Sequence, residues 1–286
     1  MMLLIGAFRA ARTALHLAYG LALALIFPLL GLTVRRRILR RWSVELLNIL
    51  NVRIDLPARS TMHTLQSGIF VTNHISWLDV FVLNAVVPMR FVAKSEVRQW
   101  PLIGWLCARV QTLFIERGKA RDAARINKQV IDLLQCGDCL AVFPEGTTTN
   151  GRTVGEFHAS LLQPAVDAGV QVHPVAIRYQ NAQGEHSQAA AYIDDLSFAT
   201  SLWNILSCPN LHVRLVATPS LNAAGSDRRT LTRLARQQIS AAVYFMHAYP
   251  HVSYDTTPSL NEHLQSPYGM LTFPQLPVQE AQPATD

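Results

Sequence analysis

A long uncharged apolar run near the N-terminus limits the possible folds of this chain more than any other feature. Residues Thr13–Val34 (TALHLAYGLALALIFPLLGLTV) contain no Asp, Glu, Lys or Arg. As a helix, this run would be about 33 Å long, and the hydrocarbon core of a membrane is about 30 Å thick. Arg9 and Arg12 precede the run, and a denser arginine cluster follows it at 35–41. We therefore expect this segment to attach the chain to a membrane, with the denser cluster on the cytoplasmic side.

The sequence leaves the form of this attachment open. A spanning helix fits the length, and a re-entrant or interfacial helix fits the interruptions at Pro28 and Gly31 and the polar His16. A cleaved signal peptide fits poorly, because arginines follow the run where a small-residue cleavage site is needed. A buried core helix would not explain the flanking arginines. Residues 35–49 (RRRILRRWSVELLNI) predict a second, amphipathic helix whose arginines rest on anionic headgroups.

The composition agrees with contact with lipid and argues against several other classes of protein. Of the 286 residues, 50% are hydrophobic and 15% are charged, whereas about 25% charged is typical. The net charge of +6 suits an anionic membrane or nucleic acid, but no nucleic-acid-binding signature is present, so we expect no nucleic-acid partner. The four cysteines are too few for a disulfide framework, and the CxxC at Cys136–Cys139 has no second pair. We expect no metal and no cofactor.

From residue 51 onward, short apolar runs alternate with helical patterns, which predicts an α/β fold in which helices cover a mixed sheet. The predicted strands are Val52–Leu56, Gly68–Thr72, Arg90–Ala93, Thr112–Ile115, Cys139–Phe143, Gln171–Tyr179, Ala189–Ile193 and Leu211–Ala217. The predicted helices are Trp77–Val87, Leu102–Val110, Ala120–Gln135, His158–Ala168 and Ser226–His247. We expect three parts: N-terminal membrane-associated helices (1–49), an α/β domain (50–248) and an extended or disordered tail (249–286).

The strongest candidate for chemistry is a polar segment between a predicted strand and a predicted helix, residues 72–79 (TNHISWLD). Ser76 and Asp79 have the spacing of a capping box, which predicts a helix from Trp77. His74 and Asp79 are about 140° apart on a continuous helix, but a turn before the cap would bring Asp79 to Nδ1 of His74. A histidine oriented by a carboxylate is the recurring base of acyl transfer. Alternatively, Asp79 only caps the helix and His74 is a loop residue.

Two other strand ends carry residues suited to a ligand. The segment 139–151 (CLAVFPEGTTTNG) ends a strand in a loop, and three of its residues would lie at the sheet edge where open α/β folds bind ligands: Glu145, Gly146 and Thr147. The segment 112–118 (TLFIERG) runs from a strand into Arg117, which suits bidentate phosphate binding. The alternatives are an ordinary turn and a solvated arginine.

Taken together, these segments resemble the four sequence blocks of the glycerolipid acyltransferases, in the same order. The matching stretches are Asn73-His74-x4-Asp79, Phe114–Arg117, Phe143–Thr147 and Val172–Ile177. The stretch Phe91–Glu96, followed by Pro101 and Gly104, is also similar. Each block is weak alone, but four in order are specific. The resemblance runs over residues 35 to 220, and the chain looks like a 1-acylglycerol-3-phosphate acyltransferase.

This resemblance implies a membrane-associated O-acyltransferase of a bacterial type of inner membrane, with its site on the cytoplasmic side. His74, held by Asp79, would take the proton from the sn-2 hydroxyl of a lysophospholipid, whose oxygen attacks the acyl thioester to form phosphatidic acid. The donor would be acyl-CoA or an acylated acyl carrier protein. The implied substrate-binding residues are Arg117, for the phosphate, the loop residues Glu145, Gly146 and Thr147, and more weakly Lys94.

Two residues depart from the pattern of the family, and two other activities remain as alternatives. His158 stands where relatives often have Lys or another basic residue, and His173, in the fourth block, is expected to be structural. Lyso-ornithine lipid is an alternative acceptor, since an arginine together with Glu116 and Glu145 would suit its amine and carboxylate. A thioester hydrolase is a further alternative, but the chain has no G-x-S-x-G elbow and no cysteine in a recognisable nucleophile context.

Overall fold

The computed structural model describes residues 2–57, 60, 62–65, 67–100, 102–115 and 120–251. Within these ranges the strands are β1 Val52–Asp55, β2 Gly68–Thr72, β3 Arg90–Lys94, β4 Leu113–Ile115, β5 Cys139–Val142, β6 Gln171–Gln180, β7 Leu211–Ala217 and β8 Leu221–Asn222. The α-helices are α1 Met2–Ile26, α2 Leu32–Leu50, α3 Asp79–Val86, α4 Ile103–Arg109, α5 Ala120–Gln135, α6 Gln163–Ala168, α7 Phe198–Ser207 and α8 Arg228–Ala248.

The strands form one mixed sheet in the order β1-β7-β6-β2-β5-β3-β4, with β8 paired to β6. Neighbouring strands run parallel, except that β6 is antiparallel to both β7 and β8. Strand β2 lies inside the sheet between β5 and β6, and all five of its residues are buried. The mixed α/β architecture predicted from the sequence is therefore confirmed. The carboxyl ends of β2, β3, β4 and β5 meet at one edge, where α/β folds place their ligand sites.

Helices cover both faces of this sheet. Successive side chains of a strand point to opposite faces, so Phe70 of β2 packs with α2, α3 and α7, while Ile69 and Val71 pack with α5, α6 and α8. The core between the sheet and helices α2, α3 and α7 includes Leu46, Leu83 and Leu206. The core on the opposite face, under α5, α6 and α8, includes Val130, Ala165 and Ile239.

The N-terminal apolar run is divided between two helices. α1 ends at Ile26, a 3-10 turn containing Pro28 follows, and α2 begins at Leu32, so the run Thr13–Val34 is interrupted at Pro28 and Gly31, where the sequence indicates a break. The predicted helix at 35–49 is confirmed within α2. Residues Leu4–Leu29 are long and apolar enough to cross a membrane, by length and composition. Only one side of this stretch is buried, at Gly6, Thr13, His16, Gly20, Ala24 and Phe27. The remaining surface exposes large apolar side chains, including Leu4, Phe8, Leu15, Leu25 and Leu29.

Specific contacts hold α1 to the rest of the protein. The ring of His16 stacks on Trp42 of α2 with centroids 4.6 Å apart, and its Nε2 lies 3.0 Å from the Trp42 carbonyl oxygen. Arg9 donates hydrogen bonds to the carbonyl oxygens of Leu206 and Cys208, at the end of α7. Gly20 permits this close packing, because a Cβ at that position would lie 2.7 Å from Nε1 of Trp42.

Some predicted elements differ from the structure. Ala189–Ile193 is not a strand: the segment lies against the loop after β2, where the amide of Tyr192 donates to the carbonyl of Ile75 at 2.9 Å. Ala190 and Ala191 are buried by this packing, not by pairing with the sheet. The sequence reading missed β8 and also α7, which Ser197 caps by accepting from the amide of Thr200. Pro164 divides the predicted helix His158–Ala168 into a 3-10 turn and α6. Most of the predicted tail, 252–286, lies outside the described residues.

The packing of α1 on α2 predicts a loss of stability for one glycine substitution and little change for another. Gly20→Leu should lower the free energy of unfolding by about 1–3 kcal/mol, because the new side chain overlaps the Trp42 ring. Gly31→Leu is the matched control, since a Cβ there meets no atom within 4 Å. Denaturant unfolding in detergent measures both variants. Equal stabilities would contradict the α1–α2 contact.

Candidate active site

At the end of β2, the side chain of Asn73 takes the place of backbone groups in pairing with β6, and the loop that carries His74 begins there. The amide of Asn73 donates from Nδ2 to the Ile177 carbonyl at 2.9 Å, and its Oδ1 accepts from the Ile177 amide at 2.8 Å. These two bonds reproduce the donor and acceptor that the backbone would have offered to β6. The chain can therefore turn away from the sheet at His74 without leaving the buried groups of Ile177 unpaired.

Asp79, which begins α3 and is 0% exposed, gathers four donors. Its Oδ2 lies 2.9 Å from Nδ1 of His74 and accepts from the amides of Ile75 at 2.8 Å and Ser76 at 3.0 Å. Its Oδ1 accepts from the hydroxyl of Tyr179 at 2.8 Å. The bond to Ser76 is the carboxylate half of the predicted capping box, although the helix begins at Asp79, two residues after the predicted start. One carboxylate thus shapes the turn and orients the histidine.

His74 is held so that its other ring nitrogen can act on a ligand. Its side chain is 19% exposed, and the ring stacks on Phe143 with centroids 3.8 Å apart. A carboxylate at Nδ1 favours the tautomer with the proton on that nitrogen, which leaves a lone pair on Nε2. Among the described residues, no hydrogen bond to Nε2 is found, and no side-chain hydroxyl or thiol bonds to the ring. The arrangement suits a base that acts on a hydroxyl brought by the substrate.

The loop after β5 fixes the backbone of His74 from both sides. Glu145 accepts from the His74 amide through Oε1 and from the Gly155 amide through Oε2, both at 2.8 Å. The His74 carbonyl accepts from the Thr149 amide at 2.8 Å. Burial raises the pKa of Glu145, and the two backbone donors oppose that rise. Both carboxylate oxygens therefore already have partners within the protein, which gives Glu145 a positioning contact that the sequence did not suggest.

The other residues expected at the site lie at the same edge of the sheet or outside the described residues. Gly146 has a φ of +70°, which glycine adopts without strain, and Thr147 is exposed. Lys94 is exposed at the end of β3, in register with Ile115 of β4. Arg117 follows Ile115 by two positions and lies outside the described residues, as does Glu116.

The two atypical histidines make structural contacts, and three of the four cysteines are at least partly buried, while Cys136 is exposed. The exposed His158 donates its amide to the Pro144 carbonyl at 2.9 Å, and the buried His173 bridges Ser67 and Ser220. Cys139 is buried, and burial raises the pKa of its thiol to about 11. Burial also raises the pKa of Cys107 and of Cys208. These pKa shifts oppose the thiolate form that a cysteine nucleophile needs. Among the described residues, no cluster of three or more His, Cys, Asp or Glu side chains could hold a metal ion.

Tyr179 is the site residue that sequence reasoning missed. It is fully buried, and burial and the nearby Asp79 carboxylate raise its pKa well above the usual value. The phenol therefore stays protonated and donates. The available signal was the period-two pattern of β6, which places Tyr179 on the same face as the apolar Ile177. That pattern gives no indication of a partner 100 residues away in the chain.

A histidine oriented by a buried carboxylate on a mixed α/β sheet is suited to acyl transfer, and the comparisons with known proteins identify the class as an O-acyltransferase. A family model described as Acyltransferase matches residues 53–178. The chain is 36% identical over 211 residues to a lyso-ornithine lipid O-acyltransferase of Pseudomonas aeruginosa, covering 74% of this chain and 80% of the relative. It is 38% identical over 179 residues to a 1-acyl-sn-glycerol-3-phosphate acyltransferase of Neisseria meningitidis, covering 62% and 70%. The chain belongs to the glycerolipid acyltransferase family.

The fold is also found in a solved structure of this class. The crystal structure of the 1-acyl-sn-glycerophosphate (LPA) acyltransferase from Thermotoga maritima matches with a TM-score of 0.58 and 20% identity. The match covers 84% of this chain and 98% of that one. At this identity the match establishes the common fold and says nothing of the substrate.

The contact between Tyr179 and Asp79 predicts a specific loss of turnover. Tyr179→Phe removes one donor from a buried carboxylate, and a hydrogen bond to a charged group contributes about 1.5–3 kcal/mol. We expect kcat to fall about tenfold or more while the KM of both substrates stays near wild type, because the phenol does not contact substrate. Tyr244→Phe, at an exposed site on α8, is the control. A Tyr179→Phe enzyme with a kcat within twofold of wild type would contradict this role.

Proposed function

We propose that the chain transfers a fatty acyl group from a thioester to the free hydroxyl of a lysophospholipid, with His74 as the general base. The observation that supports the proposal is the contact of Asp79 with Nδ1 of His74, which leaves the lone pair of Nε2 available to a substrate hydroxyl. Asp79 fixes the tautomer and stabilises the imidazolium that forms when the proton arrives. The stacking of the ring on Phe143 limits its rotation.

The reaction then follows without a covalent enzyme intermediate. Nε2 takes the proton of the acceptor hydroxyl as its oxygen attacks the thioester carbonyl, forming the new C–O bond. Backbone amides near the site stabilise the tetrahedral oxyanion. The C–S bond breaks, and His74 returns the proton to the departing thiolate. The products are the acylated lipid and the free thiol of the carrier.

The residues around His74 divide between positioning and substrate contact. Glu145 holds the amide of His74, and its assignment to substrate binding remains a prediction beside this role. Gly146 and Thr147 are proposed to line the acceptor site, where Gly146 permits close approach of the lipid. Arg117 is proposed to pair with the headgroup phosphate, and Lys94 to assist with a negative charge of the headgroup or the donor.

The proposed acceptor is 1-acylglycerol-3-phosphate, acylated at the sn-2 hydroxyl to give phosphatidic acid. The arginine and lysine expected at the sheet edge suit a phosphate that carries up to two negative charges. Lyso-ornithine lipid is the second candidate, because the Pseudomonas aeruginosa relative that covers most of the chain carries that name. The proposed donor is acyl-CoA or an acylated acyl carrier protein.

A panel of lysolipids tests the acceptor directly. Thiol release from the acyl donor should be fastest with lysophosphatidic acid, and Arg117→Ala should raise the KM for this acceptor more than the KM for the donor. Arg117→Lys should restore part of the loss, because lysine keeps the charge but not the planar fork. Lyso-ornithine lipid turned over tenfold faster than lysophosphatidic acid would reassign the acceptor. An unchanged acceptor KM in Arg117→Ala would remove this arginine from the site.

The N-terminal helices (1–49) are proposed to hold the enzyme at the bacterial inner membrane, with the α/β domain (50–248) on the cytoplasmic side. The exposed apolar side chains of α1 and the exposed Arg37, Arg40 and Arg41 support this placement. After deletion of residues 1–34, the protein should leave the membrane fraction in a high-salt wash, because the remaining arginines bind headgroups in a salt-dependent way. A truncated protein that stays in the membrane pellet would point to another anchor.

A further inference from the structure

The helix α8 presents a row of arginines that the proposed reaction does not use. Arg229, Arg233 and Arg236 are spaced four and three residues apart, so they lie on one face of the helix. Arg229 and Arg233 are exposed, and neither forms an ion pair with the described residues. Arg236 pairs with Glu156, whose own side chain is 85% exposed. The row therefore keeps an excess of positive charge at the surface.

These arginines border an open groove. The groove has a volume of about 610 Å³ and lies between α8 and residues 156–159, which follow the loop after β5. Its floor and walls include Phe157, Ala159 and Gln237 as well as the three arginines. A surface that combines guanidinium groups with some apolar area is typical of a protein-binding site.

Hydrogen bonds connect the groove to the loop after β5, which holds the backbone of His74. Nε of Arg236 donates to the Gly155 carbonyl at 2.7 Å, and the Gly155 amide donates to Glu145 at 2.8 Å. Glu145 in turn accepts from the His74 amide. A partner seated in the groove would thus lie beside the loop that holds the base, where an acyl thioester must arrive.

The groove faces away from the apolar surface of α1. Helix α8 packs on the sheet face that includes Ile69 and Val71, whereas α1 packs on α2 and α7, across the sheet. Of the arginines next to α1, Arg37, Arg40 and Arg41 are exposed and suit the headgroups of a membrane, whereas Arg36 pairs with Asp138. The arginines of α8 are on the other side of the sheet, so their charge suits a partner that comes from the aqueous side.

We propose that the groove along Arg229, Arg233 and Arg236 is a docking surface for an acidic acyl carrier protein, which delivers its acyl thioester to His74. This inference rests on the proposed function and selects one donor for it. Surface carboxylates of such a carrier pair with guanidinium groups in bidentate fashion. The charge of the row also speeds encounter, since complementary fields raise association rates. Acyl-CoA, which is small, needs no row of this length to reach the site.

Charge reversal distinguishes this role from binding of acyl-CoA, of lipid or of the chain's own tail. In Arg229→Glu/Arg233→Glu, the KM for the acylated carrier protein should rise at least tenfold while the KM for acyl-CoA stays unchanged. Binding of the carrier protein alone, measured by titration calorimetry at low salt, should weaken by a similar factor. Arg53→Glu/Lys128→Glu is the matched control, because it reverses the same charge at exposed sites away from the groove.

Several outcomes would overturn the docking surface. These are an unchanged KM for the carrier protein, an equal rise for both donors, or a loss of vesicle binding in the double variant. The docking surface would also be refuted if the double variant bound the carrier protein, in calorimetry, as tightly as wild type does. A further test compares the full chain with a chain that ends at residue 251. If the shortened chain bound the carrier far more tightly, and the double substitution removed only this gain in affinity, the occupant of the groove would be the tail. Calorimetric binding does not require turnover, so a chain that binds carrier but transfers no acyl group refutes the proposed function and not the docking surface.

Discussion

The geometry of the site depends on one buried carboxylate. Asp79 is removed from water, a position that is unfavourable for an ionised group unless donors surround it. Four groups supply them: the ring of His74, two amides of the turn and the phenol of Tyr179. These groups come from the β2–α3 loop and from β6, so the carboxylate joins two neighbouring parts of the sheet. The same contacts that stabilise Asp79 orient the base.

The fold separates two kinds of surface on either side of this site. One face of the sheet is covered by α2, α3 and α7, on which α1 packs with an exposed apolar surface. The other face carries α5, α6 and the arginines of α8. A lipid acceptor and a water-soluble donor have opposite solubilities, and we propose that each approaches the edge where His74 lies from its own side of the sheet. The enzyme is thus suited to chemistry at a boundary between lipid and water.

The sequence predicted the features that depend on local patterns. The strand–helix alternation gave the fold class, and the turn before Ser76 predicted the contact of His74 with Asp79, because capping chemistry acts over a few residues. Features that depend on distant partners could not be predicted. Tyr179 contacts Asp79 only because β6 pairs with β2. The apolar segment around Ala190 was predicted as a strand, but its burial comes from packing against a loop. The sequence predicts that Glu145 binds substrate, and its role in holding the backbone amides of His74 and Gly155 is seen only in the folded structure.

The rate of acyl transfer by the His74→Ala enzyme tests the central claim most directly. A positioned base contributes about 10²–10⁴-fold to the rate, so kcat with saturating donor and lysophospholipid should fall by at least about 100-fold. The melting temperature should fall only modestly, because three of the four donors to Asp79 remain in place. His158→Ala, which removes an exposed ring, should keep full activity. A His74→Ala enzyme that retains more than about a tenth of the wild-type kcat would contradict general-base catalysis by this histidine.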